Sequence, residues 1–381
     1  MPLQSLMLLL SIICACFYIY ALVRICRLKG TATLPDASGG CSDDNTATVV
    51  VAARDEALLI NEWLPPLLDQ AGVQKVLFVD DHSSDSTLHL AERVAETDDR
   101  LVVMQAPELP PGWIGKNHAL HWAAQRVDTK YILFIDADTL MAPGTIRAAA
   151  ERMEAEQLDE LSGHYRIRCV TAGERICAPV FAASSAVALF AAAASSGAAI
   201  GPFNMLRTDF YKRIGGHDQI KNAIVDDVAL ARLVKSNGGR ATFLDIADRV
   251  SIRLFDGVAG FFSSAARSSA PFLGSNTLLG LLCGPAVACI AIATTATPAA
   301  NVLLSAATPH RGPLALGVAA LAYALGLIAV WRVQRYHTGN VAWGLLYPVP
   351  LALLGLAVTH SVILKLRGKN THWRGRECPP T

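Results

Sequence analysis

The chain has 381 residues, of which 52% are hydrophobic and only 17% are charged, whereas soluble domains carry about 25% charged residues. This deficit predicts membrane segments, and a formal net charge of +1 gives no support for a nucleic-acid partner. The nine cysteines include no C-x-x-C pair, which argues against a zinc site.

The first residues form a predicted membrane anchor. Residues Leu3–Val23 carry no charged side chain, and about 20 apolar residues are enough to span a bilayer. A secretory signal peptide would need a basic segment ahead of this run, which residues 1–7 lack. Three basic residues follow the run instead, so the positive-inside tendency predicts an anchor over residues 1–29 with the following chain in the cytoplasm.

The middle of the chain has the pattern of an α/β domain. Residues 30–46 are rich in Gly, Ser and Asp and are predicted to be a linker. Residues 47–255 alternate short apolar runs with helical patterns, which predicts the α/β fold class. The expected strands are Thr48–Ala53, Lys75–Val79, Leu101–Met104 and Tyr131–Ile135, and the expected helices occupy residues 56–70, 84–96, 116–127 and 143–156.

The fourth strand ends in two carboxylates, Asp136 and Asp138. Ligands of open α/β sheets bind at the carboxyl ends of the strands, and residues two apart lie on the same side of an extended chain. Mg²⁺ typically takes one or two carboxylates together with substrate phosphates. The pair is therefore a candidate metal site; the alternative is a solvated acidic pair that closes the strand.

Other polar residues also follow predicted strands. Glu56 follows the first strand, and Asp80 and Asp81 follow the second, where carboxylates suit hydrogen bonds to a ribose or a base. Lys116 follows a glycine at a helix start and is suited to a diphosphate, or is a surface residue of a turn. The absence of G-x-G-x-x-G after either strand and of G-x-x-x-x-G-K-[ST] argues against dinucleotide-binding and P-loop folds.

Asp226 and Asp227 open a later helix. Carboxylates favour the amino end of a helix for electrostatic reasons alone. As a functional group, one of them would be a general base, because a sugar or lipid hydroxyl is a poor nucleophile until its proton is accepted.

Residues 176–206 carry no charged side chain. If they crossed the membrane, Asp226 and Asp227 would lie on the opposite side from Asp136. Because the stretch is rich in Ala and Ser, we predict a buried or interfacial helix within the domain instead. Residues 256–270 are predicted to be an interfacial segment, with Phe261 and Phe262 in the membrane interface.

Three or four membrane segments are expected within residues 271–366. The uncharged stretch 271–308 is long enough for one span or a hairpin of two, and Pro313–Trp331 and Val341–Leu364 are further spans. Three full spans would leave the basic tail, residues 367–381, outside the cell. We expect a cytoplasmic tail. An even number of spans would place it there, and so would a re-entrant last segment, for which Pro348 and Pro350 are the candidate residues.

Six segments in order carry a family resemblance: ARDEA, VDDHSSDST, GWIGKNHA, FIDADT, GPFNMLRTDFYKRIGGHD and IVDDVALA. Together they resemble glycosyltransferase family 2, which has the A-type, Rossmann-like nucleotide-sugar fold, over residues 47–255. The layout of anchor, catalytic domain and carboxyl-terminal spans is similar to the membrane-bound branch with hopanoid-associated, carotenoid-ester and ceramide glycosyltransferases. The resemblance implies an inner-membrane, multi-pass enzyme.

The resemblance also implies residue roles. Asp227 would be the catalytic base of an inverting reaction, with Asp226 beside it. Mg²⁺ or Mn²⁺ would be bound by Asp138 and Asp136. The donor nucleotide, of the uridine type, would be bound by Ala53, Arg54, Glu56, Asp80, Asp81, Lys116, Asp136 and Ala137.

Two departures from the family pattern concern basic residues. The Gln/Arg-x-x-Arg-Trp motif of polymer synthases and ceramide glucosyltransferases is replaced by Ser-Ile-Arg-Leu-Phe, so Arg253 or Arg267 is the expected substitute. The carboxyl-terminal Trp-Arg-Gly-Arg motif ends without its usual aromatic residue. Its possible contacts to diphosphate or acceptor are Trp373, Arg374 and Arg376, and the alternative is a basic anchor on the membrane surface.

The predicted function is transfer of a sugar from a nucleotide diphosphate to a membrane lipid. A polyprenyl-phosphate sugar synthase is the enzymatic alternative. A catalytically inactive membrane scaffold with the same fold is the alternative from another class.

Overall fold

The computed structural model describes residues 3–26, 32–37, 46–195, 197–273, 277–307, 312–368, 371–373 and 376–378. Part of the predicted linker and the tail residue Arg374 lie outside these ranges.

The strands, in chain order, are β1 (Ala47–Ala53), β2 (Val73–Asp80), β3 (Leu101–Gln105), β4 (Tyr131–Asp136), β5 (Leu140–Met141), β6 (Glu160–His164), β7 (Arg166–Ile167), β8 (Asn204–Arg207), β9 (Ala241–Asp245), β10 (Val250–Ile252), β11 (Thr371–Trp373) and β12 (Arg376–Cys378). Seven of them form the main sheet in the order β3-β2-β1-β4-β8-β6-β9, and β5-β10-β7 form a small second sheet. β11 and β12 pair with each other.

The α-helices are α1 (Leu3–Cys26), α2 (Ile60–Leu68), α3 (Thr87–Ala95), α4 (Gly115–Ala124), α5 (Thr145–Ala155), α6 (Ala172–Ser195), α7 (Thr208–Arg213), α8 (Asp226–Ser236), α9 (Gly257–Leu273), α10 (Thr277–Ala307), α11 (Gly312–Arg332) and α12 (Pro348–Leu366). Short 3-10 helices occupy Gly216–Ile220, Gln334–Tyr336 and Val341–Leu346. The four predicted strands and four predicted helices of the domain are confirmed, with ends shifted by a few residues.

The centre of the sheet is apolar on both faces. Val49, Val50 and Val51 of β1 are fully buried, as expected for a parallel strand covered by helices on both sides. β1 pairs in parallel with β2 and β4, so that Ala53 is opposite Asp80 and Ala52 is opposite Asp136. The polar groups predicted at three strand ends therefore lie along one edge of the sheet.

The charge-free stretch 176–206 is part of the domain, as predicted. Cys177, Ala178 and Ala182 of α6 belong to the same hydrophobic core as the central strands. Among the described residues, α6 is not one of the helices that are long and apolar enough to cross a membrane.

Four described helices are long and apolar enough to span a membrane: Ser5–Cys26, Leu278–Leu303, Pro313–Arg332 and Pro348–Leu366. They comprise one amino-terminal and three carboxyl-terminal candidates. Over its described residues, the uncharged stretch after residue 271 forms the end of α9 and then one continuous helix, α10, rather than a hairpin.

The last two helices, α11 and α12, run in the same direction. Both are antiparallel to α10: next to the α10–α11 connection, the Asn301 side chain donates a hydrogen bond of 3.3 Å to the carbonyl of Ala315. Two helices that are antiparallel to a third are parallel to each other, so the chain has to return between α11 and α12. The contacts that orient α12 on α10 are Gly284 with Thr359 and Ala288 with Gly355.

The return is made by residues 333–347. The end of α11 lies at the domain, where the Tyr336 hydroxyl donates a hydrogen bond of 2.9 Å to Asp245. The 3-10 helix Val341–Leu346 then lies beside α11, and the Tyr323 hydroxyl donates to the carbonyl of Leu345. α12 therefore begins inside the helical bundle.

The other end of α12 lies at the domain side of the bundle. The ring of His360 is 5.9 Å from that of Phe262 in α9, and Ala357 packs in a cluster with residues of α9. The chain after α12 therefore leaves on the side that carries the domain. Pro348 and Pro350, the residues named for a re-entrant alternative, lie in the first turn of α12.

The domain and the helices share contacts. Arg335 forms ion pairs of 3.2 Å with both Asp245 and Asp248. The backbone N–H of Asp245 donates a 3.0 Å hydrogen bond to the carbonyl of Ala32, and Asp36 pairs with Arg249. The described part of the predicted linker is thus bonded to the domain.

Candidate active site

Four charged residues from three elements meet at the edge of the sheet. Asp136 ends β4, Lys116 lies in the first turn of α4, and Asp226 and Asp227 begin α8. The Lys116 ammonium nitrogen is 2.9 Å from an oxygen of Asp136 and 3.2 Å from Asp226. The structure therefore brings together residues that are separated by as many as 110 positions in the chain.

Asp227 is held by two backbone amides. The N–H of Gly201 donates to its Oδ2 at 2.7 Å, and the N–H of Val228 donates to its Oδ1 at 2.7 Å. Burial, together with the like charge of Asp226, raises the pKa of Asp227 to about 7. A carboxylate with a pKa near the working pH is suited to accept and release a proton.

Gly201 allows the two acidic segments to approach each other. A Cβ atom built on Gly201 would be 2.5 Å from Oδ2 of Asp136, a distance at which one group would have to move. The residue type at this position therefore controls where the Asp136 carboxylate lies. The sequence prediction missed this residue, although Gly-Pro directly before a strand was a visible turn signal.

The segment before α8 is tied to α4. The side-chain amide of Asn117 donates to the backbone carbonyls of Ile220 and Ala223, at 3.0 and 2.9 Å. His217 lies behind Asp226, with Nε2 at 4.0 Å from its carboxylate, and burial lowers the pKa of His217 to about 3. A neutral His217 leaves Lys116 as the cation beside Asp226 in the described part of the chain.

A cavity of about 300 Å³ opens over these groups. Its lining includes eight of the predicted site residues: Arg54, Glu56, Lys116, Asp136, Ala137, Asp138, Asp226 and Asp227. It also includes Tyr165, Phe181, Ser185, Ile252, Leu254 and Arg267. One space is thus lined both by carboxylates and by apolar side chains.

Asp136 and Asp138 both line this cavity. Among the described residues, no group of three His, Cys, Asp or Glu side chains is arranged to hold a metal ion by itself. Two carboxylates still fit Mg²⁺ or Mn²⁺ when the remaining ligands are water and substrate phosphate. The donor set is therefore compatible with a metal that binds together with a phosphorylated substrate.

The remaining residues predicted for the nucleotide do not line the cavity as described. Asp80 is fully buried, and its carboxylate accepts a hydrogen bond of 3.2 Å from the N–H of Ser83. Asp81 is also buried, and its carbonyl accepts from Arg54 at 2.7 Å. Ala53 lies within β1 beside them, so these three residues support the cavity wall.

Two residues after β1 and β2 have an unusual backbone. Asp55 and His82 have φ values of 54° and 56°, which non-glycine residues seldom adopt. The Asp55 carboxylate holds this arrangement by accepting from the N–H of Ser84 at 2.7 Å. Such positions are found often at binding sites.

Arg253 does not line the cavity as described. It pairs with Glu174 at 2.8 Å and with Asp256 at 3.0 Å. Arg267 of α9 lines the cavity, so it is the better placed of the two expected substitutes. Of the predicted tail contacts, Trp373 and Arg376 lie in β11 and β12, which pair at these two residues, and Arg374 lies outside the described residues.

Glu160, at the start of β6, is a second residue that the sequence prediction missed. It is fully buried, and neither carboxylate oxygen has a hydrogen-bond partner among the described residues. Burial raises its pKa to about 8, and the charge of Asp227 acts in the same direction. The group is neutral at pH 7. No motif or periodic pattern marked it.

Residues 48–177 match the family described as "Glycosyl transferase family 2". The fold is similar to that of the mannosyltransferase PcManGT from Pyrobaculum calidifontis, solved in complex with GDP-Man and Mn²⁺, with 21% identity, a TM-score of 0.52, and coverage of 85% of this chain and 99% of that chain. A weaker similarity, with 15% identity and a TM-score of 0.41, covers 87% of this chain and 95% of the 1–349 chain of TarS from S. aureus in complex with UDP-GlcNAc. No curated protein matches the chain significantly.

Proposed function

We propose that this chain, in which residues 48–177 form a glycosyl transferase family 2 domain, transfers a sugar from a nucleotide-diphosphate donor to a membrane lipid with inversion at the anomeric carbon. The observation that carries the proposal is one cavity that is lined by Asp136, Asp138 and Asp227 together with residues of α6 and α9. The donor is expected to be a UDP-sugar, and Mg²⁺ or Mn²⁺ is the expected cofactor.

The carboxylates that line the cavity suit the donor. Asp136 and Asp138 would hold the divalent ion, which would stabilise the charge that develops on the leaving diphosphate. Arg54 and Glu56 line the same cavity and offer hydrogen bonds to the nucleoside. The mannosyltransferase with the similar fold was solved with GDP-Man and Mn²⁺, which supports a nucleotide-sugar donor with a metal.

Asp227 is the residue that we propose as the base. The acceptor oxygen would attack the anomeric carbon while its proton passes to an oxygen of Asp227, and the bond from that carbon to the diphosphate oxygen would break. Because this is one displacement from the side opposite the leaving group, the configuration at the carbon inverts. The backbone amides of Gly201 and Val228 fix the orientation of the carboxylate.

The apolar side chains in the cavity wall suit a lipid acceptor. They include Phe181 of α6 and Leu254, and α9 contributes Arg267 to the same cavity. α9 packs on α12, one of the helices that are apolar enough to span a membrane. An acceptor embedded in the bilayer would reach Asp227 past α9, with the catalytic domain at the cytoplasmic face of the inner membrane.

A phosphate-bearing lipid is the second candidate acceptor. It is favoured by Arg267, whose guanidinium is suited to bind phosphate or carboxylate. A polyprenyl-phosphate acceptor would give a product labile to mild acid, whereas a hydroxyl acceptor would give a stable glycoside.

The test is nucleotide release by the purified full-length protein. UDP- and GDP-sugars are screened with Mg²⁺ or Mn²⁺, with and without a total lipid extract, and labelled lipid is identified by mass spectrometry. We expect lipid-stimulated, metal-dependent release that Asp227→Asn abolishes and that Asp218→Asn, an exposed acid on the Gly216–Ile220 helix, does not. The absence of release from every donor would refute the proposal.

A further inference from the structure

The ammonium group of Lys116 occupies the centre of the acidic cluster. Its nitrogen is 2.9 Å from Asp136 and 3.2 Å from Asp226, and only 21% of its side chain is exposed. Asp227 lies close enough for its charge to act on Lys116. In the described part of the chain, a lysine thus neutralises the carboxylates among which a metal would have to bind.

The geometry shows how this lysine is held. Its nitrogen lies within ion-pair distance of both Asp136 and Asp226, and a lysine side chain is ordinarily positively charged at neutral pH. A buried charge that loses one ionic partner is destabilised unless another takes its place. Lys116 would therefore leave Asp136 most readily when a second anion is within reach.

Asp136 is a carboxylate that two different cations would bind. It is the carboxylate bonded to Lys116, and it is also one of the two cavity carboxylates that we propose for the divalent ion. A metal and an ammonium group next to the same carboxylate repel each other. A diphosphate in the cavity offers Lys116 a second anionic partner within reach of a flexible side chain.

We propose that Lys116 is a resident counter-ion that moves from Asp136 to the donor diphosphate, and that this exchange makes metal and donor bind cooperatively. This inference rests on the proposed donor and metal sites. Lys116 is a positioning residue for the metal here, since it acts through Asp136. Because the coupling between two ligands is reciprocal, the nucleotide tightens the metal by the same factor as the metal tightens the nucleotide.

The test is Mn²⁺ affinity, measured by electron paramagnetic resonance of free Mn²⁺ with the full-length protein, with and without UDP or GDP. For the wild type, we expect weak Mn²⁺ binding alone and much tighter binding with nucleotide. For Lys116→Met without nucleotide, we expect Mn²⁺ to bind about tenfold tighter or more, because a nearby positive charge is gone. The nucleotide should then enhance Mn²⁺ binding less than in the wild type.

The control is Lys235→Met, which removes an exposed positive charge from the last turn of α8, the helix that Asp226 begins. It should leave Mn²⁺ affinity as in the wild type. An affinity of Lys116→Met for Mn²⁺ that is unchanged or weaker overturns the inference. The inference is also overturned if the nucleotide does not change the Mn²⁺ affinity of the wild type. This measurement remains valid if the methionine variant fails to fold.

The failure of the broader proposal looks different. If neither nucleotide binds the wild type under any metal condition, the proposed donor site is wrong. The proposed movement of Lys116 to the diphosphate is then wrong as well. If nucleotide and Mn²⁺ both bind but independently, the donor site stands and only the role of Lys116 is wrong.

Discussion

Gly201 and Asp136 are in contact across the active site: a methyl group on Gly201 would lie 2.5 Å from Oδ2 of Asp136. The backbone N–H of the same glycine donates to Asp227 at 2.7 Å. One small residue therefore sets the distance between the carboxylate proposed for the metal and the carboxylate proposed for the proton.

Gly201→Ala tests this relationship. The added methyl should displace Asp136 and reduce kcat/KM by about 100-fold, a typical cost of misplacing a catalytic group by about 1 Å. The fold should survive, as judged by thermal unfolding in detergent. Gly317→Ala is the matched control, because a Cβ there meets no described atom within 4 Å. Normal turnover in Gly201→Ala would show that the close contact has no catalytic consequence.

Asp138→Ala should remove the metal dependence of donor binding. The second cavity carboxylate is lost, so Mn²⁺ should no longer tighten UDP in a titration by calorimetry. Asp128→Ala, an exposed acid between α4 and β4, should behave as the wild type. If Mn²⁺ tightens UDP equally in Asp138→Ala, the metal is held by other groups.

The pH dependence of turnover should report Asp227. Its pKa is raised to about 7 by burial and by Asp226, and a base must be deprotonated to accept a proton. kcat/KM should therefore rise with pH and level off above about 7. In Asp226→Asn the like charge is gone, so the midpoint of any remaining activity should move to lower pH. A profile that is flat from pH 5 to 9 at roughly constant metal saturation would contradict the assignment.

Glu160→Gln should stabilise the protein at neutral and basic pH. The pKa of Glu160 is about 8 in the folded protein and 4.5 ordinarily, so the folded state binds the extra proton between these values and loses stability as the pH rises through that window. The amide cannot ionise and avoids this loss, which we expect to be on the order of 2 kcal/mol at high pH.

The measurement for Glu160→Gln is the apparent Tm in detergent at several pH values. The gain should be near zero at pH values below the ordinary pKa of 4.5 and largest at pH values above about 8. Glu108→Gln, at an exposed position, should show no such trend. A variant that is less stable than the wild type at high pH would mean that Glu160 has an ionic partner.

The parallel arrangement of α11 and α12 predicts that the tail and the catalytic domain lie on the same side of the membrane. An epitope placed after residue 381 and an epitope in the domain should show the same protease sensitivity in sealed vesicles. An epitope at the amino terminus, before α1, should show the opposite sensitivity. If the tail epitope and the domain epitope differ in protease sensitivity, the orientation of α12 relative to α11 is wrong.

Local patterns in the sequence predicted much of this structure. The apolar run before Asp136 indicated both a buried strand and a site at its end, because strand length and the abrupt change to carboxylates are encoded within eight residues. The same holds for Asp226 and Asp227 at the start of α8. In these cases, residues that are neighbours in the chain are enough to predict the strand or helix and the carboxylates at its end.

Other features depend on residues that are distant in the chain. The contact of Gly201 with Asp136 joins two strand-end segments 65 positions apart, and nothing near either residue indicates it. The sequence predicts Asp80 as a ligand of the nucleoside but gives no sign that its carboxylate is buried and accepts a hydrogen bond from the N–H of Ser83. Arg253 forms an ion pair with Glu174. Arg267, in α9, lines the cavity instead.

The core of the domain includes residues from outside it. Ile25 of α1, together with Val333 and Tyr336 at the end of α11, belongs to the same hydrophobic cluster as the central strands. A soluble fragment cut at the boundaries of the α/β domain would therefore lack part of its own interior and expose the apolar surface that these residues cover. We therefore expect the whole chain in detergent or lipid to be more stable than the isolated α/β domain.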